Sequence, residues 1–351
     1  MVYARVDFQP GVIFGRFVVP SVIAAVALVA LFAVYRDLDF DLFSAAFVGA
    51  NKVWLVPLLV VILLEQAVRA WKWRQILREV KPVAASRLFG AILASFGVQL
   101  VVPVPITPLA RAWFVARLEH LTVATVLSTA AVDRYVDAIV FALFIAFVGT
   151  SGLAAYVGED LRIVLTAIAV AQGLVFAGFA YGLFRARILL QQDDSHASRV
   201  VDWLARQGGR RFDGLRQGMV LGMVWPRAWW RQVGIILASG LMKFLAASQF
   251  LWAGLAIGIV LAPVDYLFLM VFSGLALIAA TFVRVPGLYF FATVMAFDLV
   301  GLGFNEAFAI LILIRVATMV CMLGPGFVFG WNAVIAIRRD RRHAAVAAVT
   351  A

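Results

Sequence analysis

Long apolar segments with few interruptions constrain the fold of this chain more than any other feature. Several exceed the roughly 20 residues that an α-helix needs to cross a hydrocarbon core of about 30 Å. Of the 351 residues, 64% are hydrophobic and only 14% are charged, whereas a soluble domain has about 25% charged residues. The apolar runs are continuous rather than alternating, so helices are favoured over a barrel. We therefore predict an all-α polytopic membrane protein.

Six segments are predicted to span the membrane, within one transmembrane domain that comprises residues 1–351. They are Phe14–Tyr35, Val53–Trp73, Thr122–Gly149, Arg162–Phe184, Trp230–Val260 and Phe304–Ile337. Two further apolar stretches, Leu88–Phe114 and Tyr266–Phe297, are interrupted at Pro103–Pro108 and at Arg284–Gly287. Proline removes a backbone donor and clashes with the preceding helical turn. We predict that each of these two stretches is a re-entrant helical hairpin.

Basic residues are concentrated in three regions that the six crossings place on one side. These regions follow the second span, form the loop 185–231 and follow the last span; they include Arg69, Lys72, Arg74, Arg78, Lys81, Arg87, nine arginines of the loop, Arg338, Arg339, Arg341 and Arg342. Basic loops stay on the cytoplasmic side. We expect a cell inner membrane protein with both termini cytoplasmic. Its net charge of +11 indicates an anionic membrane surface as partner, and no nucleic acid.

An internal repeat relates residues about 53–149 to residues about 230–337. At an offset of 181 residues, Trp71 matches Trp252, Pro105 matches Pro286, and Arg134 matches Arg315. Each half has a span, a proline-broken hairpin and a span with an arginine, and an odd number of crossings inverts one half relative to the other. Inverted repeats with interrupted helices are typical of transporters that bind their substrate near the midplane. The repeat axis would bring Arg134 and Arg315 toward one shared region.

Ionisable side chains inside the predicted spans are the candidate site residues, because a charge in hydrocarbon is costly. We assign lipid-phosphate binding to Arg134, Arg315, Arg284, Lys243 and Arg111, with Asp133, Asp137 and Glu65 as charge partners. Arg134 is expected to pair with Asp133 or Asp137, which lie within one helical turn of it. The alternative is that these three residues form a self-neutralised structural group. Glu65 and Arg69, spaced i and i+4, are expected to form a structural ion pair.

Sequence motifs for catalysis or metal binding are absent. The chain has no phosphate-binding glycine loop, no HExxH and no Gly-x-Ser-x-Gly. Its three histidines, His120, His196 and His343, are far apart, and Cys321 is its one cysteine. We therefore expect no enzyme activity, no metal and no cofactor.

Several short motifs between Val53 and Trp331 match those of a known family. They are the block Arg69–Arg74, Pro103 followed eight residues later by Arg111, the element Asp133–Asp137, Pro286 and Arg315. In these motifs the chain resembles the lysylphosphatidylglycerol synthase transmembrane-region family of flippase-like membrane proteins. Where that family commonly has Gly-Glu in the first hairpin, this chain has Thr107 and Pro108. A glutamate is also missing from the second hairpin, so the resemblance does not extend to proton coupling.

The resemblance implies lipid translocation without lipid synthesis, since no aminoacyl-transferase domain is expected after the last span. The leading interpretation is a flippase or scramblase for an anionic phospholipid or a lipid of the polyprenyl-phosphate type, whose headgroup is the ligand. The alternative is a non-catalytic accessory or scaffold subunit of a membrane glycosyltransferase or lipid-modifying system. The sequence leaves open the lipid, the direction and energy source of transport, and whether the chain forms a homo-oligomer.

Overall fold

The computed structural model describes residues 48–101, 107–150, 166–175, 221–283 and 288–350, with a few isolated positions outside these ranges. Within these residues the chain is helical and has no strand. The helices are α1 (Lys52–Leu77), α2 (Ala85–Val101), α3 (Thr107–Leu118), α4 (Val123–Thr150), α5 (Thr166–Val175), α6 (Trp229–Ala256), α7 (Pro263–Val283), α8 (Leu288–Leu299) and α9 (Phe304–Thr350). The predictions that fall outside the described residues are the first span Phe14–Tyr35, part of the fourth span, the loop from 185 to 217, Pro103, Pro105, Arg284 and Pro286.

Four of the described helices are long and apolar enough to cross a membrane. They are α1, α6, α7 over Pro263–Ala280, and α9 over Phe304–Arg339. Three of them, α1, α6 and α9, coincide with predicted spans. The 28-residue α4 coincides with a fourth predicted span, but it has three charged side chains near its middle. These findings confirm a helical membrane protein.

The pair α1 and α6 forms the centre of the bundle, and the two helices run antiparallel. At one end the Asn51 N–H donates to the Ala256 carbonyl oxygen at 2.7 Å. At the other end Arg231 pairs with Glu79 at 3.0 Å. Two further helices pack against this pair, since α4 contacts α6 and α9 contacts α1.

Each predicted hairpin is a pair of antiparallel helices whose outer ends lie level. In the first, Arg87 near the start of α2 pairs at 2.6 Å with Glu119, just after α3. In the second, the Ser273 and Tyr289 hydroxyls lie 2.9 Å apart, each ten residues from the outer end of its helix. The arms differ in length, because α7 alone is long enough to span.

Glycines let α2 and α9 approach closely along antiparallel axes. A Cβ at Gly326 would lie 2.4 Å from the Leu93 carbonyl oxygen, and one at Gly90 would lie 2.1 Å from the Phe329 ring. Small residues of this kind permit close packing of membrane helices. The register places the C-terminal part of α9, with Arg338, at the end of the bundle that also holds Lys81, Arg87 and Arg231.

Candidate functional site

Lys72 is the centre of a buried polar network between α1, α4 and α6. Its side chain is 0% exposed, and its ammonium donates to the Asp137 carboxylate and, at 3.2 Å, to the Ser239 hydroxyl. The ammonium also lies 3.1 Å from Oδ1 of Asp133. Ser239 Oγ in turn donates to Asp137 Oδ1 at 3.0 Å. One cation thus lies between two carboxylates, and both oxygens of Asp133 lack a hydrogen-bond partner among the described residues.

Local sequence explains why these groups meet. Asp133 and Asp137 are four residues apart, so they lie on one face of α4, near the middle of its length. Apolar layers lie on both sides of them, because Val126 and Ala130 pack in one hydrophobic cluster and Ile145 packs in another. The charges therefore lie between two apolar layers of the bundle.

The predicted pair of Glu65 and Arg69 is confirmed. Their side chains lie 2.7 Å apart on successive turns of α1. Gln249 of α6 donates to the second Glu65 oxygen at 2.8 Å, which ties this pair to the central helices. Arg69 Nε has no hydrogen-bond partner among the described residues.

Arg111 is a deeply buried cation whose hydrogen-bonding capacity is largely unused. It lies on α3, one turn after the break in the first hairpin, and is 3% exposed. Its guanidinium lies over the Trp73 ring, 4.8 Å from the centroid. Neither Nε nor Nη2 has a hydrogen-bond partner among the described residues. Trp73 is itself fixed by a 3.2 Å bond from its indole N–H to Thr129.

Arg134 does not form the ion pair that the sequence predicts. Asp133 and Asp137 face α1 and are served by Lys72, whereas Arg134 points to the exposed side of α4. It makes no ion pair or hydrogen bond with a described residue. The charges that act on it most strongly are Arg69, Asp137 and Asp133. Arg134 therefore lies beside the network but is not hydrogen-bonded to it.

Lys243 completes the group from α6. Its ammonium lies 4.8 Å from the centroid of the Phe141 ring, and its strongest charge interactions are with Asp137, Arg69 and Glu65. Arg111 interacts with Arg134 and with the same carboxylates of α4. These interactions unite α1, α3, α4 and α6 around one polar region.

The charged cluster contains more cations than anions. Its members are the cations Arg69, Lys72, Arg111, Arg134 and Lys243 and the anions Glu65, Asp133 and Asp137. Five positive charges against three negative charges leave an excess of two among the described residues. Because the cluster lies between apolar layers, this arrangement can accept an anion.

Arg315 lies against two aromatic rings of α8. Its guanidinium lies 4.5 Å from the centroid of Tyr289 and 5.9 Å from that of Phe290. It makes no ion pair with the described residues, and its convergence with Arg134 stays a prediction. Its assignment to phosphate binding, like that of Arg284, stays a prediction.

Lys72 is the residue that sequence reasoning missed. It was counted with the basic loop because the apolar run ends near Trp73, but α1 continues to Leu77. Two signals pointed to it. A carboxylate pair inside a span requires a cation from another helix, and Lys72 lies between two tryptophans.

Comparison with known proteins extends the match to most of the chain. A family model described as the lysylphosphatidylglycerol synthase TM region matches residues 17–326. The chain belongs to this family. No curated protein and no solved structure matches it. All eight residues of the charged cluster lie within the part that matches the lysylphosphatidylglycerol synthase TM region, so the cluster is part of the family's membrane domain.

Proposed function

We propose that this protein moves an anionic lipid across the membrane, as a flippase or scramblase, and that the charged cluster binds the headgroup. The excess of two positive charges in the charged cluster carries this proposal. An unpaired charge at membrane depth is costly, and such residues commonly mark a substrate pathway. A bound phosphate would supply the missing negative charge, and arginine suits phosphate by its geometry.

The net positive charge of the cluster also indicates which kind of lipid it binds. The family description names lysylphosphatidylglycerol, a lipid whose lysyl group has two ammonium groups against one phosphate. A site with excess positive charge disfavours such a cation. We therefore assign the cluster to a lipid with net negative charge, and we assign the protein no catalytic step.

An inverted repeat is part of the proposal. The tryptophans matched by the repeat each contact the start of the opposite central helix: Trp71 covers Gly234, where a Cβ would lie 3.1 Å from Cη2, and Trp252 stacks on Trp54 at 5.7 Å. Equivalent helices in antiparallel orientation are what an axis in the membrane plane produces. The cluster then lies near the midplane, between the halves.

We further propose six crossings with two re-entrant hairpins. The arms α2 and α3 have 17 and 12 residues, fewer than the roughly 20 that span a bilayer. Their outer ends meet at the end of the bundle where Lys81, Arg87 and Arg231 lie. By the positive-inside rule this end faces the cytoplasm of an inner membrane.

The alternative function is a non-catalytic scaffold subunit. The buried network of Lys72, Asp133, Asp137 and Ser239 favours it, because one cation and two carboxylates join three helices. The network does not account for Arg111 and Arg134, which lack ion-pair partners among the described residues. The need for these two arginines in lipid movement distinguishes the two proposed functions.

Lipid translocation in reconstituted vesicles tests the proposed function. Wild-type protein should move a fluorescent anionic lipid between leaflets faster than protein-free vesicles do. Arg134→Gln should slow this movement by about tenfold or more, because a charge-assisted hydrogen bond contributes about 1.5–3 kcal/mol. Arg227→Gln, which removes an exposed arginine outside the cluster, is the matched control and should leave the rate unchanged. If wild-type vesicles moved lipid no faster than empty ones, the scaffold function would be the better account.

A further inference from the structure

We propose that the headgroup is a phosphate monoester or a diphosphate, bound between Arg111 and Arg134, and that phosphodiester lipids bind much more weakly. This inference rests on the proposed function and narrows its substrate class. Two features of the charged cluster lead to it: its charge balance and the donors that Arg111 leaves free.

The charge balance favours a dianion. Five cations and three anions leave two positive charges among the described residues. A phosphodiester has one negative charge and would leave one cation unpaired in a buried site, which is costly. A phosphate monoester has a second pKa near 6 and is mostly dianionic at neutral pH. Only the dianion neutralises the cluster.

The free donors of Arg111 favour a phosphate with three terminal oxygens. Nε and Nη2 point to the same side of the guanidinium and form its bidentate edge, and neither has a partner among the described residues. Such an edge binds two phosphate oxygens in parallel. A diester has only two terminal oxygens, so none remains for Arg134. A monoester has a third oxygen for Arg134, which lies on α4, the helix that packs against α3.

Lys72, the most buried cation of the cluster, does not take this role. It is already bonded to Asp137 and Ser239. The Trp73 ring covers one face of the Arg111 guanidinium, and the bidentate edge of Arg111 is left without a partner among the described residues. Because Arg111 is 3% exposed, a ligand there exchanges water for protein donors, which strengthens each charged hydrogen bond.

An apolar groove between α4 and α5 indicates a lipid rather than free phosphate. The groove has a volume of about 400 Å³, and its lining includes Tyr135, Ile139 and Leu143 of α4 with Ala169 and Val170 of α5. Tyr135 directly follows Arg134 along α4. We assign the groove to the hydrocarbon chain of the same lipid, because its lining on α4 starts one residue after Arg134.

The test compares ligands that differ by one charge. Purified full-length protein is titrated at pH 7.5 with farnesyl phosphate, with its monomethyl ester and with inorganic phosphate, and affinities are measured by calorimetry. Farnesyl phosphate should bind about tenfold or more tightly than the methyl ester, which lacks one charge and one terminal oxygen. Inorganic phosphate should compete poorly, because it cannot fill the groove. Arg111→Gln should reduce the preference to about twofold, whereas Arg227→Gln should retain it.

Each other result counts against a specific part of the proposal. Equal binding of the two farnesyl ligands would overturn the dianion inference and leave the proposed anionic-lipid function standing. Absence of binding by both ligands would count against the proposed function as well. Competition by inorganic phosphate at the concentration of farnesyl phosphate would show a free-phosphate site and overturn the lipid assignment. If Arg111→Gln did not fold, Arg111→Lys, which keeps the charge but loses the bidentate edge, should still show a reduced preference.

Discussion

At the scale of single residues, Lys72 and Arg111 are both buried cations with opposite roles. Lys72 neutralises Asp133 and Asp137 and holds α1 against α4. Arg111 has an aromatic ring and charges near it but no hydrogen-bond acceptor for Nε and Nη2 among the described residues. Burial with partners stabilises a fold, whereas burial without them has a cost that function must justify. The two side chains should therefore respond differently to neutralisation.

Neutralising Lys72 should destabilise the protein. Lys72→Met leaves two carboxylates without their cation, and breaking a buried pair in this way costs about 3–5 kcal/mol. Thermal unfolding of the purified protein would show a lower midpoint. The triple variant with Asp133→Asn and Asp137→Asn should recover much of the loss, because the two carboxylates that Lys72 served are then uncharged. A Lys72→Met variant as stable as wild type would contradict the central role of this network.

Spacing within one helix predicted some of these contacts and missed others. The separation of Glu65 and Arg69 by four residues gave their pairing directly. The common face of Asp133 and Asp137 was also predictable from spacing. Their partner was not, because Lys72 is 65 residues away from Asp137 along the chain. Periodicity shows which side chains share a helix face, and it does not show which helix lies opposite.

At the scale of helices, α2 and α9 form a glycine-mediated contact. Gly326 faces backbone atoms of Leu93, whereas Gly90 faces the ring of Phe329. A side chain can move away from an added methyl group, but a helix backbone moves only with its helix. The two glycines therefore differ in how a substitution can be accommodated.

Substituting these glycines should show that difference. Gly326→Ala should lower stability by about 1–3 kcal/mol, the usual cost of overpacking. Gly90→Ala should also destabilise, but Phe329→Ala should relieve part of its effect in a double-mutant cycle. Gly240→Ala, with no atom within 4 Å of the added Cβ, is the control and should be neutral or stabilising. Equal rescue of both glycine variants by Phe329→Ala would contradict the packing described.

Hydropathy predicted the long helices but not their ends. The second predicted span stops at Trp73, while α1 continues to Leu77, and the last stops at Ile337, while α9 continues to Thr350. Apolar runs end where the membrane or the core ends. Backbone hydrogen bonding continues through polar residues, so helix and apolar run need not end together. Lys72, near the end of the predicted span and grouped with the basic residues that follow it, therefore lies well inside α1.

At the scale of the whole molecule, the antiparallel pair α1 and α6 lies beside the charged cluster. Gln249, in the last third of α6, donates to Glu65 in the middle of α1. The offset of 181 residues predicted that the halves correspond. It did not predict that the cations of the second half would divide, with Lys243 in the cluster and Arg315 against Tyr289. Correspondence along the sequence does not fix where a flexible side chain points.

Cysteine accessibility tests the proposed topology. In a Cys321→Ala background, cysteines at Arg227 and His120 should react only with a reagent on the cytoplasmic side. Cysteines at Lys52 and Asp298 should react only from the opposite side. These four positions are exposed, and each lies outside or at the end of a helix. His120 labelled from the side of Lys52 would mean that α2 and α3 cross the membrane as one span.

The central claim is that the excess positive charge binds a ligand and does not stabilise the fold. Measuring lipid translocation and thermal stability on the same preparation of Arg111→Gln tests this claim most directly. Lys72→Met is the comparison, since it removes a cation that the network uses. The account predicts that Arg111→Gln keeps or raises the unfolding temperature, because it removes an unpaired buried charge, and that translocation of the anionic lipid is lost. An Arg111→Gln protein that unfolds at lower temperature, yet moves lipid at the wild-type rate per folded molecule, would contradict it.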